Sequence, residues 1–302
     1  MNNKVKKKNA IVTATGKSAY LFGNGINRLG PNTPFPDRYE WSNLLHDLNR
    51  VYASSQIQNI NEKPFPMVYD EIVNFSLHNN GPLENDIKRY IQTNIQELGA
   101  NNRYLELPQL NANQILTTNY DYLIEQNLEQ NWQRAPVTRL ETNYSIYRNQ
   151  LANQKKIWHI HGEQADIRSI MLGFRHYINS SSRVKARAEL FVYDLKSNIP
   201  PRYPSWVDLF FTHNVFIVGL GMKFTEYPLW WLLAYRHYKS MSDNNIHINN
   251  TITLVMPSFS IPENNDLIDM LRAYGVLLKP VDVPPNDYDE FYSRILNNNI
   301  NI

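Results

Sequence analysis

The apolar run at residues 19–22 (Ala-Tyr-Leu-Phe) stops at Gly23-Asn24-Gly25 and passes into Ile26-Asn27-Arg28. Four consecutive apolar residues bounded by glycine read as a strand buried on both faces. Glycine has no Cβ, so the chain can turn tightly there and bring its amides close to a phosphate. The pattern returns at residues 215–218 (Val-Phe-Ile-Val), closed by Gly219-Leu220-Gly221. After Gly25 the next glycine is Gly30, short of the full Gly-x-Gly-x-x-Gly fingerprint. On spacing alone, a plain turn and a nucleotide loop both remain open.

Other segments supply the rest of a sheet. Residues 114–121 (Gln-Ile-Leu-Thr-Thr-Asn-Tyr-Asp) read as a strand with a polar end, followed by a helix at 122–128 that Asn119 or Asp121 can cap. Residues 156–162 (Lys-Ile-Trp-His-Ile-His-Gly) alternate like a strand, and 251–256 and 274–279 are further strands. Helical spacing links Trp41, Leu44, Leu45 and Leu48, a helix expected to pack on the first strand, and 229–238 forms another. Residues 173–187 read as a loop and then a helix. Residues 51–110 read as mostly helical, broken at Pro64, Pro66, Gly81 and Gly99.

Strands alternating with helices predict an α/β fold: a Rossmann-like, open, mostly parallel sheet with helices on both faces and a helical insertion. We expect one domain over 1–302. Its core comprises about 18–50, 111–162 and 206–256; the insertions are about 51–110 and 163–205, and 257–302 is a C-terminal extension. In such sheets a ligand sits beyond the carboxyl ends of the strands, where Gly23–Asn27, Asn119–Asp121, His161 and Gly219–Gly221 would converge.

Composition removes several alternatives. The chain has no cysteine, which excludes disulfides, thiolate chemistry and Cys-ligated zinc. Net charge is +2, too small a field to point to nucleic acid or a membrane surface. The basic run at residues 4–8 and the Asn-rich stretch at 297–301 read as solvated tails. No apolar run nears the roughly 20 residues that span a bilayer, and the basic N-terminus lacks a signal-peptide core. A cytoplasmic location is the expectation.

Four strand-end motifs occur in a fixed order: Gly-Asn-Gly-Ile-Asn at 23–27, Thr-Thr-Asn-Tyr-Asp at 117–121, His-Ile-His-Gly at 159–162 and Val-Gly-Leu-Gly at 218–221. Together they resemble the sirtuin core, and most nearly the bacterial SIR2-like NAD hydrolases of antiphage defence. The pattern extends over about 18–256. It departs from the family where Asn24 and Asn27 replace small residues of a Gly-Ala-Gly-type loop, and in lacking the four zinc-binding cysteines that help build an acyl-lysine cleft.

The resemblance implies NAD as substrate, no metal, and a role for each matched residue. His161 takes the place of the family's histidine before glycine, a general base toward a ribose hydroxyl or water; neutral imidazole suits that role near pH 7. Asn119 would orient the nicotinamide ribose and an attacking water, since a carboxamide both donates and accepts. Asp121 would polarise the same region or cap the helix. Gly23, Asn24, Gly25 and Asn27 would line the phosphates and adenosine side, and Gly219, Gly221 and Met222 the adenine-ribose half. His159, on the same strand face if the segment stays extended, sits about 7 Å farther from the strand end and reads as structural. A metal site built from His159, His161, Glu163 and Asp166 is possible only on paper.

The implied activity is NAD glycohydrolysis, giving nicotinamide and ADP-ribose, with NAD depletion during phage infection as the biological role. Control would come from homo-oligomer assembly or from a partner such as a HerA-type ATPase or an Argonaute. The alternatives are an NAD-dependent deacylase without zinc and a non-catalytic subunit that binds NAD or ADP-ribose. Trp230-Trp231-Leu232-Leu233 reads as helix core or a subunit contact.

Overall fold

A computed structural model of the chain describes residues 11–12, 16–29, 40–136, 142–197, 199, 202–242 and 246–297. The basic run at 4–8, Gly30, the proline-rich segment 31–36 and Asn298–Asn301 lie outside the described residues.

The chain opens with strands β1 (Ile11–Val12) and β2 (Ser18–Phe22) and a 3-10 turn, Asn24–Arg28. Helices α1 (Trp41–Tyr52), α2 (Phe65–His78) and α3 (Glu84–Gln96) follow, then β3 (Gln114–Thr117), α4 (Leu123–Leu128), β4 (Asn149–Ala152) and β5 (Lys155–His159). The long α5 (Phe174–Ser197) and short α6 (Trp206–Thr212) lead to β6 (Asn214–Val218), α7 (Tyr227–Ser242) and β7 (Ile246–His247). The remainder is β8 (Ile252–Pro257), α8 (Asn265–Ala273), β9 (Val276–Val281) and α9 (Tyr288–Leu296).

Seven strands form one sheet in the order β4-β5-β3-β2-β6-β8-β9, while β1 and β7 pair separately. Every neighbouring pair in the large sheet is parallel except β4 with β5. From β2 the chain steps outward through β3 to β5, then returns to lay β6 on the other side of β2. The order reverses between β2 and β6, which is where doubly wound sheets open a crevice. Register makes that edge level: Phe22 pairs with both Thr117 and Val218, Thr117 with His159, and Val218 with Val255. The residues after each of these strands therefore emerge along one rim.

The inner strands β2 and β6 are mainly apolar because both of their faces are covered. Ala19, Leu21, Val215 and Ile217 point into one cluster with Val184, Ala188 and Phe191 of α5 and Leu229, Leu232 and Leu233 of α7. The alternate residues Tyr20, Phe22, Phe216 and Val218 join a second cluster with Leu123 of α4 and Phe291, Tyr292 and Ile295 of α9. Burying one Leu or Ile side chain such as Leu21 or Ile217 (0% and 1% exposed) contributes roughly 1.5–3 kcal/mol. Helix α5, in the stretch that the motif pattern sets apart from the core, thus forms part of the layer over the sheet. Within 173–187 only Gly173 precedes the helix, which starts at Phe174 after the irregular residues 170–173.

A third cluster corrects the expectation for α1. Leu45 and Leu48 pack with Val68, Tyr69 and Ile72 of α2, Ile87 and Ile91 of α3, and Tyr120, Ile170 and Leu172, rather than on β2. Both faces of β2 are already occupied by α5–α7 and α9, so α1 finds its apolar partners in a helical layer with α2 and α3. That layer meets the sheet's rim through Tyr120. Among the described residues no helix is long and apolar enough to cross a membrane.

Candidate active site

Two cavities open at the rim, of about 460 and 240 Å³. The larger is bordered by Asn24, Asn27, Asn119 and Asp121 on the strand side and by Asp47, Tyr90 and Asn94 from α1 and α3. Gly25, His161, Gly219, Gly221, Met222 and Glu226 border the smaller. Asn24, Trp41 and Tyr120 line both. The Trp41 and Tyr120 rings meet edge-on with centroids 5.3 Å apart. The predicted residues thus gather at one edge in two adjoining groups: Asn119 and Asp121 in one, His161 in the other.

The two glycine loops interlock. Gly23 N donates to Val218 O (3.0 Å) and Gly25 N to Gly219 O (3.1 Å), so these two amides serve the fold. A Cβ on Gly23 would strike the Gly219 carbonyl, and one on Gly25 would lie 2.5 Å from Tyr292 Oη. Gly219 adopts φ +61°, and its Cβ would fall on the same hydroxyl. Gly23 borders neither cavity. Gly221 differs: among the described residues no atom lies within 4 Å of its would-be Cβ. Met222 follows, buried and at φ +42°.

Asn27 lies with Asp121 at the larger cavity. It is buried (2% exposed) and links three side chains. Its Nδ2 donates to Asp121 Oδ2 (3.0 Å), and its Oδ1 accepts from the Tyr104 hydroxyl. Asp121 Oδ1 accepts from Leu123 N (3.1 Å), capping α4. Burial pushes the Asp121 carboxyl above the ordinary range, opposed by these hydrogen bonds. Both oxygens are occupied, and the cap and the cavity wall are the same group.

Asn119 is fixed through its backbone and left free at one side-chain atom. Its amide N–H donates to Thr117 Oγ1 (3.0 Å), and Nδ2 reaches Gly23 O at 3.4 Å. Among the described residues Oδ1 is buried with no hydrogen-bond partner. A buried amide oxygen left unpaired costs about 1–3 kcal/mol, so a donor from a ligand or water would be favoured there.

The two histidines part company because β5 ends at His159 and the chain turns at 160–161. The assumption that both share one strand face therefore fails. His159 Nε2 meets Glu125 Oε1 at 2.6 Å and its Nδ1 lies 3.2 Å from Asn119 O. Burial lowers its affinity for a proton, but the Glu125 charge and hydrogen bond outweigh this and the net shift is upward. It supports the Asn119 backbone. His161 Nε2 instead lies 3.0 Å from Glu226 Oε2, close enough for charge pairing but without hydrogen-bond alignment. Its ring stands edge-on to Tyr177, centroids 5.5 Å apart. Gly162 makes the turn possible, at φ +98° with the Ser169 carbonyl where a Cβ would be.

Glu163 is occupied elsewhere. Its carboxylate meets Arg148 Nη1 (2.7 Å), the Tyr122 hydroxyl (2.7 Å) and Arg134. Burial would raise it, yet these partners hold it down to about 2. Asp166 lies 3.4 Å from Arg148 Nη2. With His159 on Glu125 and His161 on Glu226, the four paper ligands do not converge. Among the described residues no group of three or more His, Asp or Glu side chains is arranged to hold a metal ion.

Sequence reasoning missed Glu226, Tyr177 and the Trp41–Tyr120 pair. Glu226 had a signal: it stands five residues beyond Gly221 and directly before the apolar α7, where a strand-end loop enters a helix. Tyr177, on α5, had none.

Residues 113–226 match the family model of the SIR2-like domain. The match spans β3 to Glu226 and includes Asn119, Asp121, His161 and both glycines of the β6 loop. It supports a SIR2-like, NAD-related character for this part of the chain. No curated protein matches the chain.

Proposed function

We propose that the chain is an NAD glycohydrolase that cleaves the bond between nicotinamide and ribose. The observation that carries this is the buried, unpartnered Asn119 Oδ1 at a cavity of about 460 Å³, beyond the strand ends of a sheet whose order reverses beside it. The SIR2-like match over the same residues supports the dinucleotide as ligand. Combined, the two cavities fall in the size range of small-molecule sites, and Gly221 leaves clearance beside the β6 loop.

In this reading Asn119 Oδ1 accepts a hydrogen bond from the nicotinamide ribose or from the attacking water. The C1′–N1 bond breaks and its electron pair neutralises the pyridinium nitrogen. The ribose passes through an oxocarbenium-like state, water adds at C1′, and His161 takes the proton. Nicotinamide is a good leaving group, so no strong acid is needed. Asp121, fixed by Asn27 and the α4 amide, shapes the larger cavity.

The biological reading goes further: NAD depletion during phage infection, under the control of homo-oligomer assembly or of a partner such as a HerA-type ATPase or an Argonaute. Neither nucleic acid nor membrane is a proposed direct partner.

The test is nicotinamide release from NAD without added peptide, by wild type, Asn119→Ala and His161→Ala, at low and high protein concentration. The expected result is release by wild type and a loss of 100-fold or more in both variants, on the order of general-base and orienting contributions. NAD binding without release, even at high concentration and with an acyl-lysine peptide present, would leave a binding subunit. Release only with the peptide would make the chain a deacylase.

A further inference from the structure

We propose that Glu226 is a positioning residue for His161: its carboxylate engages one ring nitrogen and leaves the other to act as the base. The inference rests on the hydrolase reading and adds a residue to it.

Glu226 directly precedes the first turn of α7, and His161 lies in the turn after β5. These elements are distant in sequence, yet Glu226 Oε2 and His161 Nε2 are 3.0 Å apart, with side chains only 12% and 6% exposed. Oε2 has no hydrogen-bond partner among the described residues. The other titratable groups bordering this cavity are Tyr177, Tyr120, Arg28, Glu40 and Lys223. Tyr177 and Tyr120 are buried, and burial first and the Glu226 charge second push both hydroxyls up. Of the cations bordering the same cavity, Arg28 is paired with Glu40, and the other is Lys223. Imidazole is therefore the group at charge-pairing distance from this carboxylate.

A buried carboxylate oxygen without a hydrogen bond is costly, and two events reduce that cost. A small rotation aligns Nε2–H with Oε2, which selects the tautomer with its lone pair on Nδ1. Proton uptake at Nδ1 then places an imidazolium beside the carboxylate. When water attacks C1′ and the C1′–N1 pair leaves with nicotinamide, the water proton has a receptor whose charge Glu226 balances. Removing the carboxylate charge from beside the ring should move the acid limb of the rate profile, where the base is lost to protonation, to lower pH.

The experiment compares wild type, Glu226→Gln and Glu226→Asp in two ways. Nicotinamide release is measured from pH 5 to 9 as kcat and KM. The His161 imidazole is titrated by NMR in the full chain without substrate, its signal assigned by its loss in His161→Gln. Thermal melting of each variant verifies folding. In Glu226→Gln, kcat should fall about 10–100-fold, the scale seen for partners that orient a histidine, with KM within about twofold. The acid limb and the NMR titration should both move to lower pH, and Glu226→Asp should recover part of each. An unchanged His161 titration in a folded Glu226→Gln protein overturns the pairing. A raised KM with kcat intact overturns the positioning role and makes Glu226 a substrate contact. If wild type binds NAD and never releases nicotinamide, the hydrolase reading falls and the role as base support falls with it, while the titration still decides the pairing.

Discussion

Replacing Gly219 by alanine tests how the floor of the crevice is built. At φ +61° a residue with a Cβ pays about 1–2 kcal/mol in backbone energy. The new methyl would also fall on Tyr292 Oη and lie 3.0 Å from its Cζ, an overpacking worth about 1–3 kcal/mol. Together Gly219→Ala should cost about 2–5 kcal/mol. For 302 residues the unfolding entropy is roughly 0.6 kcal/mol/K, so the midpoint should fall by about 3–8 °C. Tyr292 Oη has no hydrogen-bond partner among the described residues, so Tyr292→Phe alone should change stability by under about 1 kcal/mol. Combined with Gly219→Ala, it should restore most of the steric share and leave the backbone share. Gly221→Ala, with nothing in its way, should stay within about 0.5 kcal/mol of wild type while weakening NAD binding. Urea and thermal unfolding of the five proteins, with NAD titrations of the folded ones, reads all of this. A Gly219→Ala protein as stable as wild type, or a double variant no better than the single one, would refute the wedge of Tyr292 between the loops.

Two further outcomes follow from buried charge. Glu163 is held down to about 2, against an unfolded value near 4.3. It therefore contributes stability that is fully present above about pH 4.3 and is lost as pH falls toward 2, about 3 kcal/mol in all. Urea midpoints from pH 7 to 2.5 should fall less steeply in Glu163→Gln, although that variant starts lower; an equal slope would refute the assignment. Asp208 receives Arg187 through two hydrogen bonds of 2.7 and 2.6 Å while capping α6 with Ser205. Asp208→Ala should cost about 3–5 kcal/mol by stranding a buried guanidinium; calorimetry showing under 1 kcal/mol would count against it.

The inner strands were legible because they are sandwiched. β2, β3 and β6 have no polar face, so their short apolar runs and abrupt endings stand out from the amphipathic helices. The edge strand β4, with the sequence Asn-Gln-Leu-Ala, has no such signature; pairing with β5 on one side creates it. The glycine motifs located the rim correctly, but their cause was mixed: Gly23, Gly25 and Gly219 answer to each other and to Tyr292, and Gly221 alone stands clear. Asn119 and His161 could be picked out by type and position. Their division between two cavities could not, because it depends on Trp41 and Tyr120 meeting from separate elements. Glu226 escaped because a lone glutamate before a helix is ordinary until the fold brings a histidine to it. The packing of α1 was misread for a related reason: amphipathic spacing shows that a helix has a buried face and does not say what covers it.

The interlocked order of the sheet bears on what could be cut from this chain and still work. The segment matching the SIR2-like domain, 113–226, contains β3, β5 and β6, yet β3 and β6 do not touch as a pair; each is hydrogen-bonded to β2, which lies outside it. Excised, that segment would be two pieces of sheet with their centre missing, and Asn119 and Gly219 would lose the strand that aligns them. Three of the four strand-end motifs lie within that stretch and Gly23–Asn27 lies outside it; the rim is a joint property of the chain from β2 to α9. Grafting the motifs without both ends would transfer the letters and leave the site behind.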